Sequence, residues 1–440
     1  MRQYPKYKDS EVEWMGEIPD HWEMIRIKFL GKSLIGLSYK PGDIVDDKIK
    51  GLLVLRASNI QEGRIKLDDN VYVNLKVKNE ILLREGDILI CSRSGSPTLI
   101  GKNIIIPKDL EGNTFGVFMT VFRTPYSDYI SKVFNSTIFF NQSGLFLTST
   151  INQLTQDTLN NIFVPFTHIE TERNQIVSFL DQKTSIIDDL IQKKLRKIEL
   201  LKEHRTSIIN RAITKGLNPE VRLKDSGMVL IGEIPEHWSC VFVRHYSNKI
   251  GSGVTPRGGS EVYVESGITF IRSQNVQFDG LHLDDVVKIT HETHHMMAGS
   301  QVKKGDLLLN ITGASIGRCC VVDLDEEMNV NQHVCIIRTI ETLSTVFLNY
   351  FLQSETGQDQ LFFYITGANR EGLTGENIKN FKVPFPPLPE QHQIVEYLDN
   401  KSSEIDKQVD LENRKIDLLK EYRRSLISEV VTGKIDVRTN

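Results

Sequence analysis

The feature that most constrains this chain is a long segment that occurs twice. Residues 172–216 begin ERNQIVSFLD and end LLKEHRTSIINRAITKG, and a copy that begins EQHQIVEYLD follows from residue 390. One offset of 218 relates Gln175 to Gln393 and Arg205 to Arg423 without a gap. A repeat of this length divides the chain into two tandem halves.

The repeated segment has the periodicity of a helix with a coiled-coil seam. Apolar residues recur every three or four positions from Ile187 to Ala212, and again from Ile405 to Val430, with a few polar interruptions. A helix of about 45 residues would extend roughly 65 Å, which is longer than one domain needs. Its apolar stripe requires a partner, and we expect the two copies to pack antiparallel, as a pseudo-twofold internal repeat would place them. Gly216 and Gly433 are suited to end the helices.

A second repeat marks where each half begins. Residues 15–27 read MGEIPDHWEMIRI, and residues 231–243 read IGEIPEHWSCVFV. We predict that Trp22 and Trp238 are buried anchors, because a tryptophan buries a large apolar area. Short Val, Ile and Leu runs separated by Gly and Asn turns follow in both halves, which predicts an α+β fold.

Length and composition exclude several classes of protein. The 440 residues exceed what one core supports, and 40% hydrophobic with 25% charged residues is average for a globular protein. The sequence contains no apolar run of about 18 residues, which is the length needed to span a bilayer. Five cysteines without a CxxC spacing favour a reducing compartment, so we predict a cytoplasmic protein. A net charge of −4 means that any DNA binding must come from local basic faces.

The sequence contains no complete catalytic motif of the kinds considered below. His291–His295 matches HExxH formally, but the equivalent part of the first half holds no histidine, so a solvated turn is favoured over a metalloprotease. Gly95–Lys102 and Gly31–Ser33 both depart from the phosphate-loop pattern. The sequence also contains no Asn-Pro-Pro-Tyr or Asp-Pro-Pro-Tyr loop and no GxGxxG. We predict no catalytic residue, no metal site and no bound cofactor.

Duplicated polar loops at equivalent strand ends carry the side chains that could read DNA. Arginine can bond guanine, and asparagine or glutamine can bond adenine. The candidates in the first half are Tyr39, Lys40, Arg56, Ser58, Asn59, Ser92, Arg93, Ser94, Asn152 and Gln153, and those in the second half are Thr255, Arg257, Arg272, Gln274, Asn275, Asn310, Thr312, Arg318, Asn369 and Arg370. Alternatively, Arg56 and Arg272 are structural partners of Asp87 and Asp306.

Taken together, the layout resembles the DNA-specificity subunit of type I restriction–modification systems. The resemblance covers essentially the whole chain. It is carried by Gly16–Trp22 and Gly232–Trp238, by the Gly-Asp pairs Gly86-Asp87 and Gly305-Asp306, and by Pro387–Ile394.

The resemblance implies two α/β target-recognition domains, residues 1–166 and 217–385, joined by two long antiparallel conserved helices, residues 167–216 and 386–440. It implies that the chain reads a bipartite, asymmetric site on double-stranded DNA. It also implies partners: two modification subunits that use S-adenosylmethionine to methylate adenine, and restriction subunits that use ATP and Mg²⁺ to cut DNA. Two alternatives stay open: a fused methyltransferase or nuclease with an unrecognised active site, and a coiled-coil scaffold without sequence preference.

Overall fold

The structure is a computed structural model that describes residues 2–12, 15–46, 51–61, 63–95, 99–145, 153–256, 258–366 and 372–438. The chain forms two compact units. Unit 1 comprises Met1–Lys194 with Asn413–Asn440, and unit 2 comprises Leu195–Glu412. Among the described residues, no helix is both long and apolar enough to cross a bilayer.

The described part of unit 1 consists of short strands, three short α-helices and parts of two long ones. The strands of unit 1 are β1 (Tyr7–Asp9), β2 (Glu17–Pro19), β3 (Glu23–Arg26), β4 (Lys32–Ile35), β5 (Ile44–Val45), β6 (Leu52–Leu55), β7 (Ile60–Gln61), β8 (Arg64–Ile65), β9 (Val71–Val73), β10 (Ile88–Cys91), β11 (Asn103–Ile105), β12 (Thr114–Phe115), β13 (Met119–Arg123) and β14 (Phe163–Phe166). The helices are α1 (Ser127–Phe134), α2 (Thr137–Leu145), α3 (Gln156–Asn161) and α4 (Glu170–Lys215), whose last part belongs to unit 2.

Unit 2 has a similar order of elements. The strands of unit 2 are β15 (Leu223–Asp225), β16 (Glu233–Pro235), β17 (Ser239–Phe242), β18 (Ser247–Ser252), β19 (Ile268–Ile271), β20 (Val276–Gln277), β21 (Gly280–Leu281), β22 (Val287–Ile289), β23 (Gln301–Val302), β24 (Leu307–Asn310), β25 (Cys319–Val321), β26 (Met328–Val330), β27 (Val334–Thr339) and β28 (Lys382–Phe385). The helices are α5 (His291–Met296), α6 (Thr345–Gln353), α7 (Glu355–Thr366), α8 (Gly375–Lys379) and α9 (Leu388–Val431), whose last part belongs to unit 1. Where unit 1 has β5 before β6, unit 2 has α5 and β23 before β24.

The sheets show that the halves share most of their topology. Only the fourth strand of the second sheet differs among the described strands: β5 pairs with β9 in unit 1, whereas β23 pairs with β26 in unit 2. An antiparallel sheet has the order β11-β10-β13-β4 in unit 1 and β25-β24-β27-β18 in unit 2. A second sheet pairs β12 in parallel with β6, and β26 in parallel with β19. The central strands β10 and β24 are buried along their whole length, which fits their unbroken apolar sequences, apart from Asn310 at the end of β24. The polar loops that follow these two strands therefore occupy equivalent positions in the two units.

The tryptophans are the anchors that the sequence predicts. Trp22 and Trp238 are 0% and 1% exposed. The indole Nε1 of Trp22 donates to Glu172 at 3.2 Å, and that of Trp238 donates to Glu390 at 3.0 Å. Because both glutamates lie in the first turn of a long helix, each anchor joins the start of a half to the helix that follows that half.

The long helices pack antiparallel, as predicted. In unit 2, Lys197 bonds Glu412 at 2.9 Å, and Arg205 pairs with Asp406 eight residues further along α4 but six residues earlier in α9. The seam residues are largely buried; Ile198 and Ile405, for example, are 7% and 5% exposed. Each helix is followed by a glycine in the left-handed conformation, Gly216 at φ 71° and Gly433 at φ 72°, a conformation that L side chains rarely adopt.

Candidate nucleic-acid interface

The turn that follows β6 and β19 is held by a buried asparagine in each unit. Asn59 Oδ1 accepts from the backbone N–H of Arg56 at 2.9 Å, and Asn275 Oδ1 accepts from that of Arg272 at 3.0 Å. The asparagine amides donate to the carbonyls of Lys66 and His282, and both side chains are at most 2% exposed. These two asparagines shape the turn and do not present their amides to a ligand.

The predicted ion-pair partners of Arg56 and Arg272 are wrong. Arg56 Nη2 bonds Asp69 at 2.8 Å, and Arg272 Nη2 lies 3.8 Å from Asp285. Asp87 and Asp306 are instead each bound by two guanidinium nitrogens at 2.7 Å, from Arg123 and Arg338 respectively. The register of the antiparallel strands explains this. Ile88 lies opposite Phe122 and Leu307 opposite Ile337, which brings each aspartate beside the arginine that ends the neighbouring strand in unit 1 or lies near its end in unit 2.

In unit 1, the loop after β10 closes over the connection between β12 and β13. The backbone N–H groups of Ser92 and Arg93 both donate to the carbonyl of Phe118, at 3.0 and 3.1 Å. Val117 and Phe118 are 42% and 55% exposed, and the Arg93 guanidinium lies 5.4 Å from the centre of the Phe118 ring. We call Val117 and Phe118 the apolar tip.

Other predicted residues of unit 1 lie around the apolar tip. The N–H of Val117 donates to the carbonyl of Leu37 at 2.9 Å, and the segment after Leu37 contains the half-buried Tyr39 and the exposed Lys40. Arg93 forms a β-bridge with the exposed Gln153. Ser58 is exposed, Ser94 is half-buried and Ser92 is buried, whereas Asn152 lies outside the described residues.

In unit 2, the equivalent loops surround two hollows. A hollow of about 370 Å³ is lined by Gln274, Thr312, Arg318 and His333, together with backbone and small residues. Thr312 Oγ1 and His333 Nδ1 are 2.6 Å apart, and Thr312 and His333 also line a neighbouring hollow of about 810 Å³. The surface therefore presents hydrogen-bonding groups of the kind that bond base edges.

Two of the remaining candidates of unit 2, Asn310 and Arg318, are bonded to residues of the turn after β19 or of β20. Asn310 is fully buried, and its amide donates to the carbonyl of Ser273 at 2.7 Å, which ties the turn of Gln274 to the end of β24. Arg318 Nη1 donates to Gln277 Oε1 at 3.0 Å. Thr255 is half-buried. Arg257, Asn369 and Arg370 lie outside the described residues.

The residues predicted from sequence do not include the connection between β12 and β13 in unit 1 or its counterpart between β26 and β27 in unit 2. The tip residues are Val117 and Phe118 in unit 1, and Gln332 and His333 in unit 2. The first pair reads as part of an apolar strand, so a search among polar residues could not find it. The usable signal is the position between two short apolar runs that recur in both halves.

In the HExxH match, the two ligand positions, His291 and His295, are exposed, and His294 between them is buried. His294 is 4% exposed, with Nδ1 2.5 Å from Asn329 Oδ1, and it lies in a helix of six residues. Within the described ranges, no group of three or more His, Cys, Asp or Glu side chains is arranged to hold a metal ion. All five cysteines are free thiols, and burial raises the pKa of Cys320 to about 12.

Comparison with known proteins shows which family the chain resembles. Residues 271–421 match the family described as the type I restriction modification DNA specificity domain. The chain is 25% identical, over 98% of its length and 97% of the relative's, to the type I restriction enzyme MjaVIII specificity subunit of Methanocaldococcus jannaschii. Over nearly its whole length, the chain is therefore similar to type I restriction specificity subunits.

One further relative shows the same similarity, and one solved structure shares the fold. The EcoKI specificity subunit of Escherichia coli is 24% identical over 96% of this chain and 90% of its own length. A chain from a solved structure that describes the assembly and conformational transition of a type I restriction–modification system shares the fold, with a TM-score of 0.69 and 17% identity over 95% of this chain and 99% of that chain. Specificity subunits are the non-catalytic, DNA-recognising components of these systems.

Proposed function

We propose that this specificity subunit reads a bipartite, asymmetric DNA site and directs adenine methylation and restriction by its partner subunits. The observation that supports the proposal is the pair of equivalent surfaces on one duplicated topology. Each surface lies at the end of a buried central strand, β10 or β24, and carries basic or hydrogen-bonding side chains.

The two surfaces have different chemistry, which supports two different half-sites. Unit 1 presents Arg93 stacked on the exposed ring of Phe118. At the equivalent place unit 2 presents Thr312 and His333. Because hydrogen-bonding and apolar groups select different base edges, equivalent positions with different side chains favour different sequences.

We assign the parts of the chain as follows. Target recognition belongs to residues 1–166 and 217–385, and the partner-binding and spacing role belongs to the helical residues 167–216 and 386–440. The partners are DNA, two modification subunits that supply S-adenosylmethionine chemistry, and restriction subunits that supply the ATP- and Mg²⁺-dependent chemistry. The complex works in the cytoplasm, where its chromosomal DNA substrate lies.

The test is to co-express the chain with its modification subunit and to sequence the methylome of the cells. The expected result is adenine methylation at one bipartite motif with unequal halves. Replacing both Gln274 and Thr312 with Ala should alter one half-site only, and Arg93→Ala should alter the other. Replacing Asn369 and Arg370 should change the same half-site as the Gln274 and Thr312 variant, because they belong to the same half of the chain.

Three outcomes would contradict the proposal. Methylation by this chain without a modification subunit, or S-adenosylmethionine binding by the isolated chain, would favour a fused methyltransferase. DNA binding without sequence preference in a gel-shift assay at moderate salt would favour a scaffold. The matched control is Lys6→Ala, which changes an exposed lysine of residues 1–166 that pairs with Asp20 outside the candidate loops, and it should leave the motif unchanged.

A further inference from the structure

Backbone hydrogen bonds show that Val117 and Phe118 in unit 1 occupy the same position as Gln332 and His333 in unit 2. The N–H of Gly116 donates to the carbonyl of Leu55, and the N–H of Asn331 donates to that of Ile271, both at 3.0 Å. At the other end, the carbonyl of Phe118 accepts from the N–H of Ser92, which follows β10, and that of His333 accepts from the N–H of Ile311, which follows β24, both at 3.0 Å. The same connection therefore carries Val-Phe in unit 1 and Gln-His in unit 2.

The two tips differ in polarity although both lie beside polar loops. Val117 and Phe118 are 42% and 55% exposed, whereas Gln332 is exposed and His333 is half-buried with a hydrogen bond to Thr312. An exposed valine and phenylalanine side by side leave apolar surface in water, which binding to an apolar group would cover. Arg93 lies on the Phe118 ring, so a cation accompanies this apolar surface.

DNA offers one apolar group at the base edges of its major groove. This group is the 5-methyl of thymine, because the other edges there present donors and acceptors. Arg93 beside the ring can meanwhile bond a guanine edge or a phosphate. We infer that the apolar tip, Val117 and Phe118, contacts a thymine methyl group in the half-site read by unit 1, whereas Gln332 and His333 bond base edges in the other half-site. This inference rests on the proposed function.

Deoxyuridine provides the test, because it pairs as thymidine does but lacks the methyl group. The complete chain, assembled with its modification subunit, is titrated against unmethylated duplexes that carry the motif identified in the methylome. Each thymine of both half-sites is replaced singly by deoxyuridine, and Kd is measured by fluorescence anisotropy. At least one replacement in the half-site that Arg93→Ala alters should weaken binding about fourfold, as expected for one buried methyl group. Replacements in the other half-site should leave Kd unchanged.

Variants of the tip assign the effect to its side chains. Phe118→Ala should bind the thymidine and deoxyuridine duplexes equally, whereas Phe118→Leu keeps an apolar side chain and should keep the preference for thymidine. His333→Ala is the matched change in unit 2 and should not alter the response to deoxyuridine. If the preference persisted when Val117 and Phe118 were both replaced by Ala, the methyl contact would belong to other residues.

Failure of this inference is separable from failure of the proposed function. If no deoxyuridine replacement weakened binding while the methylome still showed one bipartite motif, the thymine contact would be refuted and the specificity role would stand. Insertion of Phe118 between base pairs would give the same insensitivity to deoxyuridine, together with a loss of affinity in Phe118→Leu. Absence of any methylated motif would refute the proposed function itself.

Discussion

Replacement of Asp306 by alanine should be strongly destabilising, because this carboxylate is almost fully buried and both of its oxygens accept hydrogen bonds. Its side chain is 1% exposed and accepts two bonds from Arg338 at 2.7 Å. It also accepts the backbone N–H of Lys303 at 2.7 Å. Lys249 lies in the same cluster: burial and the charge of Arg338 lower its pKa, and the charge of Asp306 opposes that shift. Removing Asp306 leaves these cations without their counter-charge.

The magnitude follows from the geometry. Breaking a buried ion pair by removing one partner costs about 3–5 kcal/mol. The Arg338 side chain is 26% exposed, so water partly solvates the orphaned guanidinium, and we expect a loss of about 3 kcal/mol in the free energy of unfolding. Asp87→Ala in unit 1 should behave alike, because the Arg123 side chain is 21% exposed and binds Asp87 with the same two 2.7 Å bonds.

Urea denaturation followed by tryptophan fluorescence measures the loss, because Trp238 is buried in unit 2 and Trp22 in unit 1. Glu376→Ala is the control, since Glu376 and Lys379 form an exposed pair at 3.6 Å that contributes at most about 1 kcal/mol. If Asp306→Ala were no more destabilising than this control, the buried pair would not stabilise the strand ends and the reasoning would be refuted.

Three further predictions concern acid stability, the helices and the thiols. Burial would raise the pKa of Glu172, but hydrogen bonds that include Thr167 and Trp22 lower it below its ordinary value of 4.5. The stabilisation is therefore present above pH 4.5 and is lost as the pH falls through the lowered pKa. Urea midpoints of Glu172→Gln should fall less steeply with acid than those of the wild type, whereas a Glu170→Gln control should not differ from the wild type. Inserting seven residues into both α4 and α9 at the unit boundaries should add about 10 Å of helix. The spacer of the methylated motif should then lengthen by about three base pairs, while both half-sites stay unchanged. Altered half-sites would contradict a spacing role. Because burial keeps the Cys319 and Cys320 thiols protonated, a thiol-specific reagent at pH 8 should modify them only after unfolding, and rapid reaction in the folded chain would contradict their burial.

The framework of this protein could be predicted from sequence because it depends on local patterns that occur twice. The heptad-like seams of α4 and α9 require buried partners, and the structure buries them against each other. Trp22 and Trp238 each follow a Pro turn at a recurrent position, and both are core anchors. Periodicity and duplication identify such elements without knowledge of how strands pair.

The partners of charged groups could not be predicted in the same way. Asp87 is bound by Arg123, which lies 36 positions away, and only the register of β10 against β13 brings them together. A polar residue after a strand is also ambiguous. Asn59 and Asn275 looked like base-reading residues, but the structure buries them and uses their amides to hold a turn. Accessibility, which sequence does not give, separates a supporting residue from a reading one.

This division between buried supports and exposed tips explains how one duplicated fold can read two sequences. The supports are the same in both units: an aspartate bound by an arginine, an asparagine that closes a turn, and a tryptophan bonded to a glutamate. The tips differ, with Phe118 in unit 1 and His333 in unit 2. Substitutions at exposed positions away from such supports usually change stability by no more than about 0.5 kcal/mol. A half-site can therefore change through its tip while the buried supports continue to hold the loops in place, and the two halves can diverge in specificity without losing their common fold.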